Sequence, residues 1–162
     1  MSEQARRARL QDLTEIVRLV QEGHGPGQLG EAQVTDWLYT KGVWVALCDE
    51  DLVGVAAWQA ENLLAVTDVL HVAPVEFWPE AGGYLLEIIE GEAQILMCEA
   101  NVVLLPALAP EAAHAVLRQR GYERKGREEL HRIWREVLSG FAAGEPEVLV
   151  KRLRERMVMV PL

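Results

Sequence analysis

Residues 70–90, LHVAPVEFWPEAGGYLLEIIE, constrain the fold more than any other part of the chain. The β-rich start reads as a strand that stops at Pro74, followed by a short loop and a helix opened by Gly82 and Gly83. A helix begun in this way leaves its first backbone N–H groups unpaired and directed at solvent. With the helix dipole behind them, such donors form a site for phosphate or another anion. The upstream chain then has to lead into this corner as sheet, and the downstream chain has to return and cover it.

The remaining periodicities supply those elements. Residues 10–22 carry Leu13, Ile16, Val17 and Val20 at helical spacing, with Asp12 as N-cap and Gly23 as the stop. A loop rich in Gly and Pro follows, then a second helix over 31–40 with Val34, Trp37 and Leu38 inward. Residues 43–48 and 52–59 form a hairpin about the turn Asp49-Glu50-Asp51, and 63–72 form a third strand. After the corner, 83–100 predict a long helix burying Leu85, Leu86, Ile88, Ile89, Ala93 and Leu96. The continuous apolar run 102–105 suits a strand buried on both faces. A helix over 110–120 starts at Pro110 and ends at Gly121. Residues 122–125 and 129–136 read as strands, 139–146 as a linker, and 147–156 as a short amphipathic helix. The apolar end, 157–162, needs a sheet edge or a partner to cover it, so it either folds onto its own domain or makes a homodimer through the C-terminal segment. The expected organisation is one domain over 1–138 with an extension over 139–162.

Composition narrows the class. A chain of 162 residues with half of them apolar can bury a substantial core. A net charge of −9 argues against a nucleic-acid partner, since phosphate contacts need a basic surface. No apolar run reaches the roughly 18–20 residues that span a bilayer, and no apolar segment follows the basic residues near the N-terminus. Cys48 and Cys98 stand apart among apolar neighbours, which reads as reduced core thiols and a cytoplasmic location. His114 and His131 have no ligand spacing with either cysteine, so no metal site is expected, and His24, in the Gly-rich loop, is either solvated or turned toward a cleft.

Leu70-x-Val72-x-Pro74, eight residues to Gly82, then Leu85-Leu86 resembles, without a gap, the acetyl-CoA-binding region of the GCN5-related N-acetyltransferases (GNAT). The family's Arg or Gln falls on Phe77 and its first Gly on Glu80, while Gly82 keeps the second. Ala113-x-x-Val116-Leu117-x-x-x-Gly121-Tyr122 resembles the family's second motif, with its frequent Tyr replaced by Leu117 and its frequent Asn by Pro110. The resemblance spans roughly residues 5–136 and makes 5–9 the first strand. It implies an α/β (α+β) fold: a mixed, mostly antiparallel sheet flanked by helices and split beside the corner, here with an extra C-terminal helix and strand.

The resemblance also implies acetyl-CoA as co-substrate, its diphosphate held by the backbone of Glu80, Ala81, Gly82 and Gly83 and its pantetheine arm by Val72. Phe77 removes a donor, Pro79 removes a backbone N–H, and Glu80 brings negative charge to the phosphates; all three oppose tight binding. The acceptor would be a small amine, amino acid or peptide N-terminus, and a base must take its proton. Asp68, expected on one face with Val66, Leu70 and Val72, and His71, on the other, are the candidates, each with a structural role as the alternative. Trp37, Trp44 and Trp58 border the acceptor side in this family or else anchor the core, and Trp78 fills cofactor space. Two readings stand: an acetyl-CoA-dependent N-acetyltransferase, or a non-catalytic binding or structural module of the same fold.

Overall fold

The computed structural model describes residues 3–24, 29–141 and 145–154. Seven strands form one sheet in the order β1-β2-β3-β4-β5-β7-β6. They are β1 Glu3–Arg7, β2 Gly42–Cys48, β3 Asp51–Glu61, β4 Leu64–Val72, β5 Ala100–Leu105, β6 Glu123–Arg124 and β7 Glu147–Arg152. Every neighbouring pair is antiparallel except β4 and β5, which are parallel. The helices are α1 Leu13–His24, α2 Glu31–Thr40, α3 Gly83–Ile95, α4 Glu111–Gln119 and α5 Arg132–Ser139.

Both faces of the sheet are covered. On one, α3 and α4 pack Leu85, Leu86, Ile89, Val116 and Leu117 onto Ala56, Leu70, Val72 and Val103. On the other, α1 and α2 cover β2 and β3 through Ile16, Leu19, Val20 and Val34. There α5 covers β4, β5 and β7 through Trp134, Val137 and Leu138. The parallel step from β4 to β5 requires a crossover, and α3 supplies it.

Three expectations need correction. Residues 129–136 are a turn and the start of α5, because Leu130, Trp134, Val137 and Leu138 repeat at helical spacing and His131 Nδ1 accepts the Ile133 N–H. In the expected helix over 147–156, residues 147–152 instead form a strand: Val148, Leu149 and Val150 are consecutive buried residues of β7, which lies between β5 and β6. The sheet therefore runs across the expected boundary at residue 138. Asp12 is not the N-cap of α1. It closes the preceding 3-10 turn, accepting from the Arg9 N–H at 2.7 Å while its carboxylate pairs with Arg6. The apolar end 157–162, with the expected C-terminal homodimer contact, lies outside the described residues.

Candidate functional site

The cleft arises on β4. The β3–β4 register runs Trp58↔Thr67 and then Ala57↔Val69, so Asp68 is the extra residue of a β-bulge. The β4–β5 register ends at Thr67↔Val103. Beyond it, among the described residues, no strand lies beside the β5-facing edge of β4, and its alternate backbone N–H and C=O groups face the gap. The gap is a pocket of about 210 Å³ between Leu70, His71 and Val72 on β4, Trp78 below, Leu19 and Glu22 of α1, and the Pro106–Pro110 turn.

The bulge separates the two proposed bases. An extra residue shifts the side-chain alternation, so Asp68 does not share a face with Leu70 and Val72, which pack under α3. Asp68 instead forms an ion pair with Lys41. Both line a second pocket of about 550 Å³ with Asp36, Glu61 and Phe141, the Lys41 ammonium lying 5.3 Å from the Phe141 ring centroid. His71 is 6 % exposed and lines the cleft, as does Val72. The structure therefore brings His71 and Val72 together and leaves Asp68 in a different pocket.

At the corner the backbone is helical earlier than expected. A 3-10 turn over Val75–Phe77 leads into a π-type turn over Trp78–Gly82, which continues as α3. The Phe77 N–H donates to Pro74 O at 3.1 Å, the Trp78 N–H to Val75 O and the Gly83 N–H to Glu80 O. Pro79 has no N–H to offer. The Gly83 N–H, expected as an open donor, is thus spent within the turn, because the chain begins its helix some residues earlier. Trp78 is 2 % exposed, and a Cβ on Gly82 would stand 2.8 Å from its ring, so Gly82 makes room for the indole. Ala81 and Gly82 are buried, and Glu80 is exposed.

A diphosphate is poorly matched to this corner. Glu76 and Glu80 are exposed on the turn. No lysine or arginine occurs between Lys41 and Arg118, a stretch that includes β2–β5 and α3. Arg18, in the groove beside the corner, is bonded to Glu15 at 3.0 Å and to Glu22 at 3.1 Å, and Asp49 and Asp51 line the same groove.

Where β4 and β5 are still paired, a buried polar chain fastens them. Thr67 Oγ1 donates to Asn101 Oδ1 at 2.9 Å, Asn101 Nδ2 to Tyr122 OH at 2.8 Å, and Tyr122 OH to Glu90 Oε2 at 3.0 Å. Arg120 and Lys151 donate to Glu90 Oε1 at 3.1 and 2.7 Å. Burial pushes the Glu90 carboxyl up, but the hydrogen bonds and charges of Arg120 and Lys151 outweigh that effect and hold it below its ordinary range. Burial, with the Glu90 charge added, pushes the Tyr122 hydroxyl well above its own. Sequence reasoning missed this chain; the available signal was a glutamate beside Leu86, Ile89 and Ala93 on the apolar face of α3.

The other candidates have structural partners. Trp44 and Trp58 donate to Glu92 Oε1 of α3 at 2.7 and 3.1 Å, on the face opposite α1 and α2, so they anchor α3. Trp37 packs into the α1–α2 core, and Leu117 is buried where the family's Tyr would stand. His114 Nε2 lies 2.6 Å from Glu147, and the His24 side chain lies outside the described residues. Both cysteines are buried, which raises the Cys98 thiol pKa. Among the described residues no metal-binding group of His, Cys, Asp and Glu assembles, and no helix is long and apolar enough to cross a membrane.

No protein-family model matches the chain, and no curated protein matches its sequence. Solved structures do match. A GNAT-superfamily phosphinothricin acetyltransferase from Sinorhizobium meliloti, in complex with AcCoA, superposes with a TM-score of 0.73 at 18 % identity, over 100 % of this chain and 94 % of that one. A GNAT-family acetyltransferase from Staphylococcus aureus Mu50 gives 0.72 at 12 % identity, over 94 % and 100 %. N-acetylglutamate synthase from Neisseria gonorrhoeae, complexed with coenzyme A and N-acetyl-glutamate, gives 0.68 at 20 % identity over 96 % of this chain, which spans 36 % of that one. At such identities the likeness concerns architecture: the chain has the fold of the GCN5-related N-acetyltransferases.

Proposed function

We propose that the chain is an acyltransferase that takes a thioester into the β4–β5 cleft and passes the acyl group to an amine, with a small amine, an amino acid or a peptide N-terminus as acceptor. The observation that carries this reading is the edge of β4 released beyond Thr67, which turns backbone groups toward a partly open cleft. A backbone N–H there can polarise a thioester carbonyl and stabilise the oxyanion that forms. The amine nitrogen attacks the carbonyl carbon, the C–N bond forms, the C–S bond breaks, and the thiolate leaves. His71, the titratable ring lining the cleft, takes the ammonium proton. Two proteins of this fold, the phosphinothricin acetyltransferase and N-acetylglutamate synthase, hold AcCoA and coenzyme A, which makes acetyl-CoA the first thioester to try.

The test is calorimetry with acetyl-CoA and with S-acetyl-pantetheine, then thiol release in the presence of an amine panel. Binding of either thioester with amine-dependent thiol release is the expected result, and His71→Asn lowers the rate at least about 100-fold with donor affinity unchanged. Failure of both thioesters to bind sinks the reading. The helical corner favours a second reading, a binding module of the same fold that performs no transfer. Thioester binding without thiol release on any amine would favour that reading.

A further inference from the structure

We infer that this cleft recognises a thioester only as far as its pantetheine portion, so that the acyl donor is a phosphate-free thioester rather than a nucleotide-bearing one. The inference rests on the acyltransferase reading above and specifies its donor. Anion binding at a helix start needs unspent N–H donors, a backbone the anion can approach, and a favourable field. The corner is poor in each of these. Its N–H groups at Phe77, Trp78 and Gly83 are bonded to Pro74, Val75 and Glu80 carbonyls, and Pro79 has none. Gly82, whose missing side chain would otherwise let a phosphate approach, is buried against the Trp78 ring. The field is negative: Glu76 and Glu80 are exposed on the turn, Asp49 and Asp51 line the adjoining groove, and Arg18 is taken up by Glu15 and Glu22.

The cleft itself differs from the corner. It is lined mainly by apolar side chains, with the released β4 edge to bond an amide or a thioester carbonyl. Its volume of about 210 Å³ is below the roughly 300–1,000 Å³ usual for drug-sized ligands. That volume suits the acyl-cysteamine end of a pantetheine thioester, and the charged remainder of a coenzyme A would project over Glu76 and Glu80. Removing that remainder should therefore cost nothing in affinity.

Calorimetry of the full chain with S-acetyl-pantetheine, acetyl-CoA and adenosine 3′,5′-bisphosphate tests this. S-acetyl-pantetheine is expected to bind at least as tightly as acetyl-CoA, and the bisphosphate is not expected to compete. Raising the salt should tighten acetyl-CoA by screening the acidic corner and leave S-acetyl-pantetheine unchanged. The exposed double change Glu76→Lys with Glu80→Lys should improve acetyl-CoA about tenfold and leave the uncharged thioester alone. Acetyl-CoA binding about tenfold tighter than S-acetyl-pantetheine, or displacement by the bisphosphate, overturns the inference and leaves acyl transfer standing. If neither thioester binds, acyl transfer itself falls, and this inference with it.

Discussion

Over its first residues β4 is closed against β5 by a parallel ladder and by the chain Thr67–Asn101–Tyr122–Glu90; past Asp68 the same strand faces a cleft bounded below by Trp78. The junction is held by polar groups that are almost all paired. The corner is held by apolar volume, with its charges left in solvent. One residue separates the two regimes, since the bulge at Asp68 re-aims the strand where its ladder with β5 stops. The difference teaches that this fold needs a rigid seam and an adjacent opening, and that the two are stabilised by unlike forces which can be perturbed separately.

The corner should respond most strongly to loss of volume. Trp78→Ala removes the indole that packs against Gly82 and is expected to cost about 3–5 kcal/mol, read as a shift in the urea midpoint. Because no charge is lost, added salt should leave that cost unchanged. A cost below about 1 kcal/mol would mean that the corner is not filled by Trp78.

The junction should respond to loss of charge. Glu90→Ala leaves Arg120 and Lys151 facing each other without their anion, and is expected to cost about 3 kcal/mol. That value sits at the low end of the range because both cations are about a quarter exposed, at 26 % and 27 %. Here added salt should reduce the cost, because partly exposed charges are screened. If the two variants respond alike to salt, the distinction between seam and corner fails.

How far these regions were legible in the sequence follows from the same physics. The hairpin and the third strand were readable as β-rich runs bounded by turns, although both of their faces are buried, and Glu31–Thr40 from the helical spacing of Val34, Trp37 and Leu38. Residues 147–152 were misread because Val148, Leu149 and Leu153 suit a helix stripe as well as Val148, Leu149 and Val150 suit an inner strand, and only the placement of β7 between β5 and β6 decides. Residues 129–136 show the reverse: Leu130 and Trp134 satisfy alternation locally, and Val137 and Leu138, just beyond, reveal the helix. At the site, Val72 and His71, named from the strand ahead of Pro74, line the cleft. Asp68 was placed on the wrong face because a one-residue bulge leaves no mark in composition and inverts the parity of all that follows. An open donor at Gly83 was expected from glycine at a helix start, but the helix begins earlier and spends it on Glu80, while Gly82 makes room for Trp78.

A smaller effect isolates the hydroxyl in the seam. Tyr122→Phe keeps the ring, buried at 3 % exposure, and removes the group that accepts from Asn101 and donates to Glu90. The expected cost is about 1–2 kcal/mol, less than for Glu90→Ala because Arg120 and Lys151 keep their anion. Measured in the Glu90→Ala background, the cost should shrink, since one of the two bonds is already gone. Full additivity would show that the chain is a set of independent contacts.

The smallest effect is the pH dependence of the seam, and its sign is fixed by Glu90. Its carboxyl is held below the ordinary range in the folded chain. The stability it contributes is therefore whole above the unfolded value, near about 4.3, and is lost as pH falls through the lower folded value. Asp12, lowered by its hydrogen bond with Arg6, acts in the same direction, so the parent's acid limb alone does not isolate Glu90. The comparison is the parent against Glu90→Gln, which keeps the shape and cannot ionise. The stability difference between them should be constant above about pH 5 and should narrow on acidification. The difference between the parent and Trp78→Phe, which removes no titratable group, should stay constant over the same range. A flat Glu90→Gln difference, or one for Trp78→Phe that varies with pH, would show that charge does not divide the seam from the corner.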